Sequence, residues 1–303
     1  MNSRNILLFS ICSFIWGTTW FVIKFQVDST SPVVGVFYRY FLATVMMFVL
    51  NIFFIKKNLR YPFFNHKYFI LQGLFNFCLN YILTYMSEKY INSGLVALTF
   101  TALIYFNMLG MKTIYKKEIS RNVILGAILG FIGIFLLFWK EIANFSADQA
   151  SVFGIVIGIV ATFCASIGNM FAFKNHKLGI PVMTFNAYGM MYGAIFSLII
   201  GLIMQESFTF PVTGSFIFSL TYLSLFGTVM AFWAYQTLVG TMGAEKAAYT
   251  SIISPVIAVL ISTVFENVTF TPQMFVGIIL CFGGNLLALK KKPLSLRTSQ
   301  SSK

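Results

Sequence analysis

Two stripes of polar side chains are the residues best suited to bind a polar molecule. Within each stripe the spacing of three or four residues places the side chains along one helical face. The stripes are Asn76, Asn80, Thr84 and Ser87, and Thr162, Ser166 and Asn169. A side-chain amide offers both donors and acceptors, so we expect the three asparagines to contact a substrate. Hydrogen bonding between helices is the alternative role, especially for the hydroxyl groups.

Arg39 is the charged residue that lies clearly inside an apolar stretch. Its guanidinium group could bind a substrate carboxylate through two parallel hydrogen bonds. The alternative is a structural contact with Glu88 or with free carbonyls at a helix end. Trp20, Trp233 and Gln236 are further candidates for substrate binding. Trp233 and Gln236 share a helical face, and Trp20 belongs to a stripe in the first stretch that consists of Ser13, Gly17, Trp20 and Lys24. An aromatic wall suits neutral, zwitterionic or cationic molecules. Core packing is the alternative for each tryptophan.

The sequence offers no set of residues typical of catalysis or metal binding. The eight Asp and Glu residues fall at the ends of apolar stretches or between them. The four cysteines lie singly in different stretches, and His66 and His176 have no second metal-ligating residue nearby. An enzyme acting inside a membrane would need clustered groups of these types. We therefore predict no catalytic residue, no metal and no cofactor.

Composition shows what must hold these side chains. Apolar residues make up 58% of the 303 residues and charged residues only 10%, against about 25% charged in a typical soluble protein. A membrane-spanning helix needs about 20 mostly apolar residues. Ten stretches qualify: 6–26, 33–55, 68–87, 92–111, 122–139, 151–173, 181–204, 214–238, 244–264 and 273–289. The sequence thus predicts an all-α polytopic membrane protein with ten transmembrane helices.

The basic residues between these stretches predict the orientation. If the N-terminus is cytoplasmic, seventeen Lys and Arg residues fall on the cytoplasmic side and three, Lys24, Lys89 and Lys140, fall outside. Such a bias is typical of inner-membrane proteins with both termini inside. It also explains the net charge of +13 without a nucleic-acid partner. We expect a multi-pass protein of the inner (plasma) membrane.

The two halves of the chain repeat a pattern at a near-constant offset. Gly126, Gly130 and Gly133 match Gly277, Cys281 and Gly284 at 151, while Lys24 matches Lys174 and Tyr85 matches Tyr235 at 150. We predict two five-helix repeats, residues 1–140 and 151–292, followed by a cytoplasmic tail at 293–303. Because each unit has an odd number of spans, the second copy must be inverted. Inverted repeats are common in transporters that alternate access to a central site.

Several residue groups together resemble a known family. They are Trp16-Gly17-Thr18-Thr19-Trp20, Pro32 with Tyr38-Arg39, Ser254-Pro255 with Glu266, and the glycine-spaced fifth and tenth stretches. Over about residues 5–290 the chain resembles the drug/metabolite transporter (DMT) superfamily, in its ten-helix EamA-type branch. The resemblance implies a cavity between the halves and export or exchange of small metabolites, often amino acids or related compounds.

Two segments depart from the family pattern. Met86-Ser87-Glu88-Lys89-Tyr90 stands where relatives often have small residues, and the fourth stretch lacks the proline that Pro255 supplies in the ninth. Pro255 itself predicts a hinge or a fixed kink, since proline removes a helical hydrogen bond. These departures bear on the substrate more than on the fold.

The functional hypothesis is a secondary transporter that moves a small polar metabolite by alternating access, in export or exchange. The cavity is expected between spans one, three, four, six, eight and nine. Alternatives are an importer or a lipid-carrier flippase of the same fold and, as a different class, an intramembrane enzyme. The expected partners are a small-molecule substrate and the lipid bilayer, with the chain acting as a monomer or a homodimer.

Overall fold

The computed structural model describes residues 2–55, 59–91, 93–145, 148–265 and 270–289, and these contain helices and no strand. The α-helices are α1 (Ser3–Val27), α2 (Pro32–Leu50), α3 (Phe63–Gln72), α4 (Asn80–Ser87), α5 (Ser93–Phe100), α6 (Ala102–Thr113), α7 (Arg121–Leu137), α8 (Trp139–Ala143), α9 (Gln149–Lys177), α10 (Val182–Ile203), α11 (Gly214–Ser224), α12 (Ala231–Met242), α13 (Ala244–Ala247), α14 (Thr250–Phe265) and α15 (Pro272–Leu289). Three π-helical segments, Asn51–Ile55, Gly73–Leu79 and Leu225–Met230, follow α2, α3 and α11. The tail predicted at 293–303 lies outside the described residues.

Eight helical segments are long and apolar enough to cross a membrane. They are Pro32–Phe54, Phe63–Ser87, Leu95–Thr113, Gln149–Lys177, Val182–Ile203, Gly214–Met242, Ala244–Ile261 and Pro272–Leu289. The other two predicted stretches correspond to α1, with 25 residues, and to α7, an apolar helix of 17 residues. The chain is therefore an all-helical, multi-pass protein, and the number of ten crossings stays a prediction.

Side-chain caps define where several of these helices begin. Ser31 accepts a hydrogen bond from the backbone N–H of Val34, with Pro32 in the first turn of α2. Asp148 accepts from the N–H of Ser151 at 2.7 Å and starts α9. These caps satisfy backbone donors that the first turn of a helix leaves free. They also end the connecting segments, which keeps the helices packed as near neighbours.

Helices α7 and α15 pack face to face through glycines. A methyl group on Gly126 would lie 2.5 Å from the carbonyl oxygen of Gly284, and one on Gly133 would lie 2.7 Å from that of Gly277. Only glycine permits backbones to approach this closely. The contacts run in opposite order along the two helices, so the helices are antiparallel. Gly126 contacts Gly284, the repeat counterpart of Gly133, and Gly133 contacts Gly277, the repeat counterpart of Gly126. This reciprocity is that of a two-fold contact.

Two π-helical segments lie at matching positions in the two halves. An offset of 151 carries Gly73–Leu79 to 224–230, and the observed segment is Leu225–Met230. A π-helical turn inserts an extra residue, which locally changes the direction in which the following side chains point. The segments immediately precede α4 and α12, both of which contribute side chains to the central cavity.

The apolar core is divided into clusters that combine both halves of the chain. One cluster joins α2 and the α3–α4 region with α10 and the α11–α12 region. A second joins α5, α6 and α7 with α14 and α15. Residues from both clusters, among them Phe232 and Leu103, line the central cavity. The site described next therefore lies where the two clusters meet.

Candidate functional site

A cavity of about 90 Å³ lies between the helices of the bundle, with mostly apolar walls that several polar side chains interrupt. The six spans expected to line it each contribute, and α2 adds Arg39. Its walls consist of Trp16, Thr19, Ile23, Arg39, Asn76, Asn80, Tyr81, Thr84, Phe100, Leu103, Ala165, Asn169, Phe232, Tyr235, Ser251, Ser254 and Pro255. Both halves of the chain therefore contribute side chains to the same cavity.

Three asparagines predicted from the sequence lie together at this cavity. The Nδ2 of Asn76 donates to the Oδ1 of Asn169 at 3.4 Å, and the Nδ2 of Asn169 donates to the hydroxyl of Tyr235 at 2.9 Å. Gly168 allows this approach, because a Cβ at that position would overlap the Cβ of Asn76. The network fixes the orientation of both amides.

Asn80 differs from Asn169, whose Oδ1 accepts from Asn76, because the Oδ1 of Asn80 has no partner in the described part of the chain. Its Nδ2 donates to the backbone oxygen of Asn76 at 3.4 Å. Its Oδ1 is buried and accepts no hydrogen bond from any described residue. A buried acceptor without a donor is costly. Asn80 therefore lines the cavity with an amide whose carbonyl oxygen is buried and has no donor among the residues that the structure describes.

Arg39 is 1% exposed and is held by neutral groups. Its Nε donates to the hydroxyl of Thr228 at 2.8 Å, and its Nη atoms donate to the hydroxyl of Tyr85 at 3.1 Å and the carbonyl of Gly227 at 3.2 Å. The ring of Tyr81 lies 4.7 Å from the guanidinium carbon. Of the five N–H donors of an arginine, two remain without an acceptor among the described residues.

The π-helical segment Leu225–Met230 supplies two of the three acceptors of Arg39. The carbonyl of Gly227 also accepts from the indole N–H of Trp16 at 3.3 Å. A Cβ at position 227 would lie 2.8 Å from Thr19 and 3.2 Å from Arg39. Glycine is thus needed here to bring the segment close to the cationic side chain.

The described part of the chain places no carboxylate within ion-pair distance of Arg39, so the acceptors above do not neutralise its charge. The sequence left open whether Arg39 binds a substrate, Glu88 or a free carbonyl at a helix end. The carbonyl that it contacts, that of Gly227, lies inside a continuous helical segment and not at a helix end. The position of Arg39 at the cavity also allows contact with a substrate.

Aromatic rings form one side of the cavity. The ring of Trp16 lies 4.9 Å from that of Tyr235 and 5.4 Å from that of Phe232. Sequence reasoning did not select these residues. In α1 the cavity is lined by Trp16, Thr19 and Ile23. Each of them precedes by one position a member of the predicted stripe, namely Gly17, Trp20 and Lys24. The offset of 150 that pairs Tyr85 with Tyr235 was a usable signal for Tyr235.

The remaining predicted residues, Trp20, Trp233 and Gln236, are not among the side chains observed to line the cavity. The side chain of Trp20 is not among those that the structure describes. Trp233 is 36% exposed and does not line the cavity, because it is rotated by about 100° from Phe232 along the helix. Gln236 is fully buried, also away from the cavity, and neither amide atom has a hydrogen-bond partner in the described structure.

Pro255 lies inside α14 and at the cavity, together with Ser251 and Ser254. Proline cannot donate the backbone hydrogen bond of a regular helix, so α14 has a local weak point where it borders the site. Among the described residues, no group of three His, Cys, Asp or Glu side chains is placed to hold a metal ion.

Comparison with known proteins adds a family and several relatives. The model of the EamA-like transporter family matches residues 3–139 and 152–290. The chain is 26% identical over 273 residues to "Uncharacterized transporter YoaV" of Bacillus subtilis, covering 89% of this chain and 91% of the relative. It is 26% identical over 315 residues to "Protein PagO" of Salmonella typhimurium, covering 98% and 97%.

A further relative is "Uncharacterized inner membrane transporter YedA" of Escherichia coli K12, 25% identical over 265 residues, with 82% of this chain and 78% of the relative covered. A solved crystal structure superposes with a TM-score of 0.79 at 15% identity, covering 95% of this chain and 97% of the other. At that identity the superposition shows a shared fold.

Proposed function

Because this chain belongs to the EamA-like transporter family of the DMT superfamily, we propose that it is a secondary transporter that moves a small polar metabolite by alternating access. The substrate class that we propose is an amino acid or a related compound carrying a carboxylate, moved in export or exchange. The proposal places the protein in the inner membrane with both termini cytoplasmic. The proposal also includes the oligomeric state expected from the sequence, a monomer or a homodimer.

The observation that carries the proposal is the charge of Arg39 at the cavity. A cation buried in a membrane protein is costly unless it is paired. The described contacts of Arg39 are with neutral groups, and two of its N–H donors are unused. A substrate carboxylate would neutralise the charge and accept these hydrogen bonds. Arg39 therefore favours an anionic or zwitterionic molecule over a cation.

A second group of contacts suits the other end of a zwitterion. The free Oδ1 of Asn80 can accept from a substrate ammonium group. The rings of Trp16, Tyr81 and Tyr235 line the same cavity, and aromatic faces attract cationic groups. An amino acid presents a carboxylate and an ammonium group on one small molecule. This match is the reason for preferring it to a nucleoside or a polyamine.

Alternating access is supported by the internal relation between the two halves. The family model matches two segments of similar length. The glycine contacts between α7 and α15 are reciprocal and antiparallel, and the π-helical segments occupy matching positions. An inverted pair of five-helix units has two equivalent arrangements, each of which opens the shared cavity to a different face. We propose this arrangement for residues 1–140 and 151–292.

The proposal is tested by a ligand screen on purified protein. A ligand that binds the native state raises the melting temperature. Amino acids, matched amino-acid amides that lack the carboxylate, nucleosides and polyamines are compared. The expected result is a concentration-dependent increase with at least one amino acid and none with its amide. Stabilisation by polyamines or nucleosides without any carboxylate compound would contradict the proposed substrate class.

A further inference from the structure

We propose that the ion pair between Lys117 and Glu245 is a gate that closes the cavity toward the face on which these two residues lie. The distribution of basic residues predicts that this face is cytoplasmic. The inference rests on the alternating access proposed above, because a gate has meaning only if the cavity opens to that face. Lys117 belongs to the first half of the chain and Glu245 to the second.

The ion pair is short, and its carboxylate is buried. The Nζ of Lys117 lies 2.6 Å from the Oε1 of Glu245, whose side chain is 3% exposed, while that of Lys117 is 37% exposed. The same Nζ donates to the backbone oxygen of Met242 at 3.2 Å. Partial burial reduces screening by water and salt, so this pair holds its segments together more firmly than a fully exposed pair does.

Neighbouring residues connect the ion pair to the helices that line the cavity. Leu103 of α6 lines the cavity, and Asn107 follows it by one helical turn. The Nδ2 of Asn107 donates to the carbonyl of Ala244 at 3.0 Å. Ala244 and Glu245 begin the short helix α13 that leads into α14, where Ser251 lines the cavity. The hydrogen bond between Asn107 and Ala244 thus joins α6 to α13.

Gly243 is required for this geometry. Its φ of +97° lies in the region that favours glycine. A Cβ at this position would also overlap the Nζ of Lys117 and the Oε2 of Glu245. The glycine ends α12 and leaves space for the charged groups at the same point. The backbone is therefore shaped to fit the ion pair.

The closed contact leaves two buried acceptors unsatisfied, which keeps it reversible. The Oε2 of Glu245 and the Oδ1 of Asn107 have no hydrogen-bond partner among the described residues. Opening would expose both atoms to water, and this gain offsets part of the lost attraction between the charges. A contact of this kind can separate two states of similar free energy, as alternating access requires.

The test measures access to the cavity and needs no substrate. Ser254, on the cavity wall, is changed to cysteine. Its labelling by a membrane-impermeant maleimide is followed from each face, in intact cells and in inside-out vesicles. Labelling of the four native cysteines, all buried, is subtracted using protein that retains Ser254. Glu245→Gln and Lys117→Gln are each expected to increase the rate from the Lys117 face roughly five- to tenfold.

A double variant separates the ion pair from unrelated effects. Because both substitutions remove the same interaction, the double variant is expected to label no faster than the faster single variant. Glu118→Gln, which removes an exposed carboxylate next to Lys117, is the matched control and is expected to leave the rate unchanged. Unchanged rates in both single variants, or a double variant that shows the product of their effects, would overturn the gate.

The outcome distinguishes the gate from the proposed function. One outcome is that the variants increase labelling while no carboxylate solute raises the melting temperature of the protein or is transported by it. In that case the gate stands and the proposed substrate class fails. If the protein transports such a solute and labelling does not respond, the gate alone is wrong. Lys117 is the more exposed partner, so its substitution is expected to disturb folding less. If Glu245→Gln reduces the folded yield, the labelling rate of Lys117→Gln tests the gate.

Discussion

Asn80 and Asn285 have the same local chemistry in different surroundings. In each, Nδ2 donates to the backbone carbonyl four residues earlier, at 3.4 Å and 3.2 Å, and Oδ1 is buried without a partner. Asn80 lines the central cavity, whereas Asn285 lines a separate groove beside α1 and α14. The pair therefore isolates the effect of position at the cavity from the effect of removing a buried amide.

At the residue scale we predict that Asn80→Ala weakens substrate binding and that Asn285→Ala does not. The free acceptor of Asn80 is expected to contribute a charge-assisted hydrogen bond of about 1.5–3 kcal/mol to binding, which corresponds to roughly a tenfold or greater loss of affinity. Titrated thermal shifts of the two variants with the best amino acid from the screen measure this. Equal loss in both variants would show that the effect is structural.

Sequence reasoning located some of these residues and missed others for one physical reason. In the α3–α4 region the polar residues Asn76, Asn80 and Thr84 stand among apolar neighbours, and all three line the cavity. In α1 apolar residues occur all around the helix, so periodicity cannot say which face is inward. The predicted face missed Trp16 and Thr19 by one helical position, because only tertiary contacts with the second half fix the rotation of α1.

At the element scale, the contact between α7 and α15 depends on backbone proximity, and α15 contains its own control. A Cβ on Gly284 would lie 2.6 Å from the carbonyl oxygen of Gly126, whereas one on Gly283 meets nothing within 4 Å. We predict that Gly284→Ala lowers the free energy of unfolding by about 1–3 kcal/mol. Gly283→Ala is expected to be neutral or slightly stabilising, since alanine favours helix.

Thermal unfolding in detergent measures both glycine variants. The expected result is a lower melting temperature for Gly284→Ala only. Similar melting temperatures for the two variants would mean that the close approach of α7 and α15 does not contribute to stability, and would weaken the support that this contact gives to the inverted repeats.

The sequence predicts where helices form better than how they are interrupted. Runs of about 20 apolar residues locate the spans, since a lipid environment requires internally bonded backbone. The division of the fourth span between α5 and α6 at Thr101 is not apparent from composition, because neither glycine nor proline occurs there. The π-helical segments are likewise set by packing against neighbouring helices and not by a local sequence signal.

At the scale of the whole molecule, the orientation follows from charge. Seventeen basic residues against three predict that both termini are cytoplasmic. Green fluorescent protein fused after Lys303 should therefore fluoresce, and alkaline phosphatase fused after Lys140, on the predicted outer side, should be active. The reverse pattern, an inactive phosphatase after Lys140 and a non-fluorescent fusion after Lys303, would invert the assignment and place the Lys117–Glu245 gate on the outer face.

The relation between the halves brings the residue and element scales together. The cavity takes Arg39 and Asn80 from the first half and Asn169 and Tyr235 from the second. Under the proposed alternating access, reciprocal contacts such as those of α7 and α15 would let one arrangement convert into its counterpart without loss of packing. Under this account the substrate must be bound by both halves at once and released when they separate on one face.

Counterflow in proteoliposomes tests this account most directly. Vesicles containing purified protein are loaded with an unlabelled amino acid, and uptake of the same labelled amino acid is measured against protein-free vesicles. The account predicts transient accumulation of the label, inhibited by excess of the free amino acid and not by its amide. No accumulation with any carboxylate compound that binds the folded protein, or equal inhibition by the amide, would contradict it.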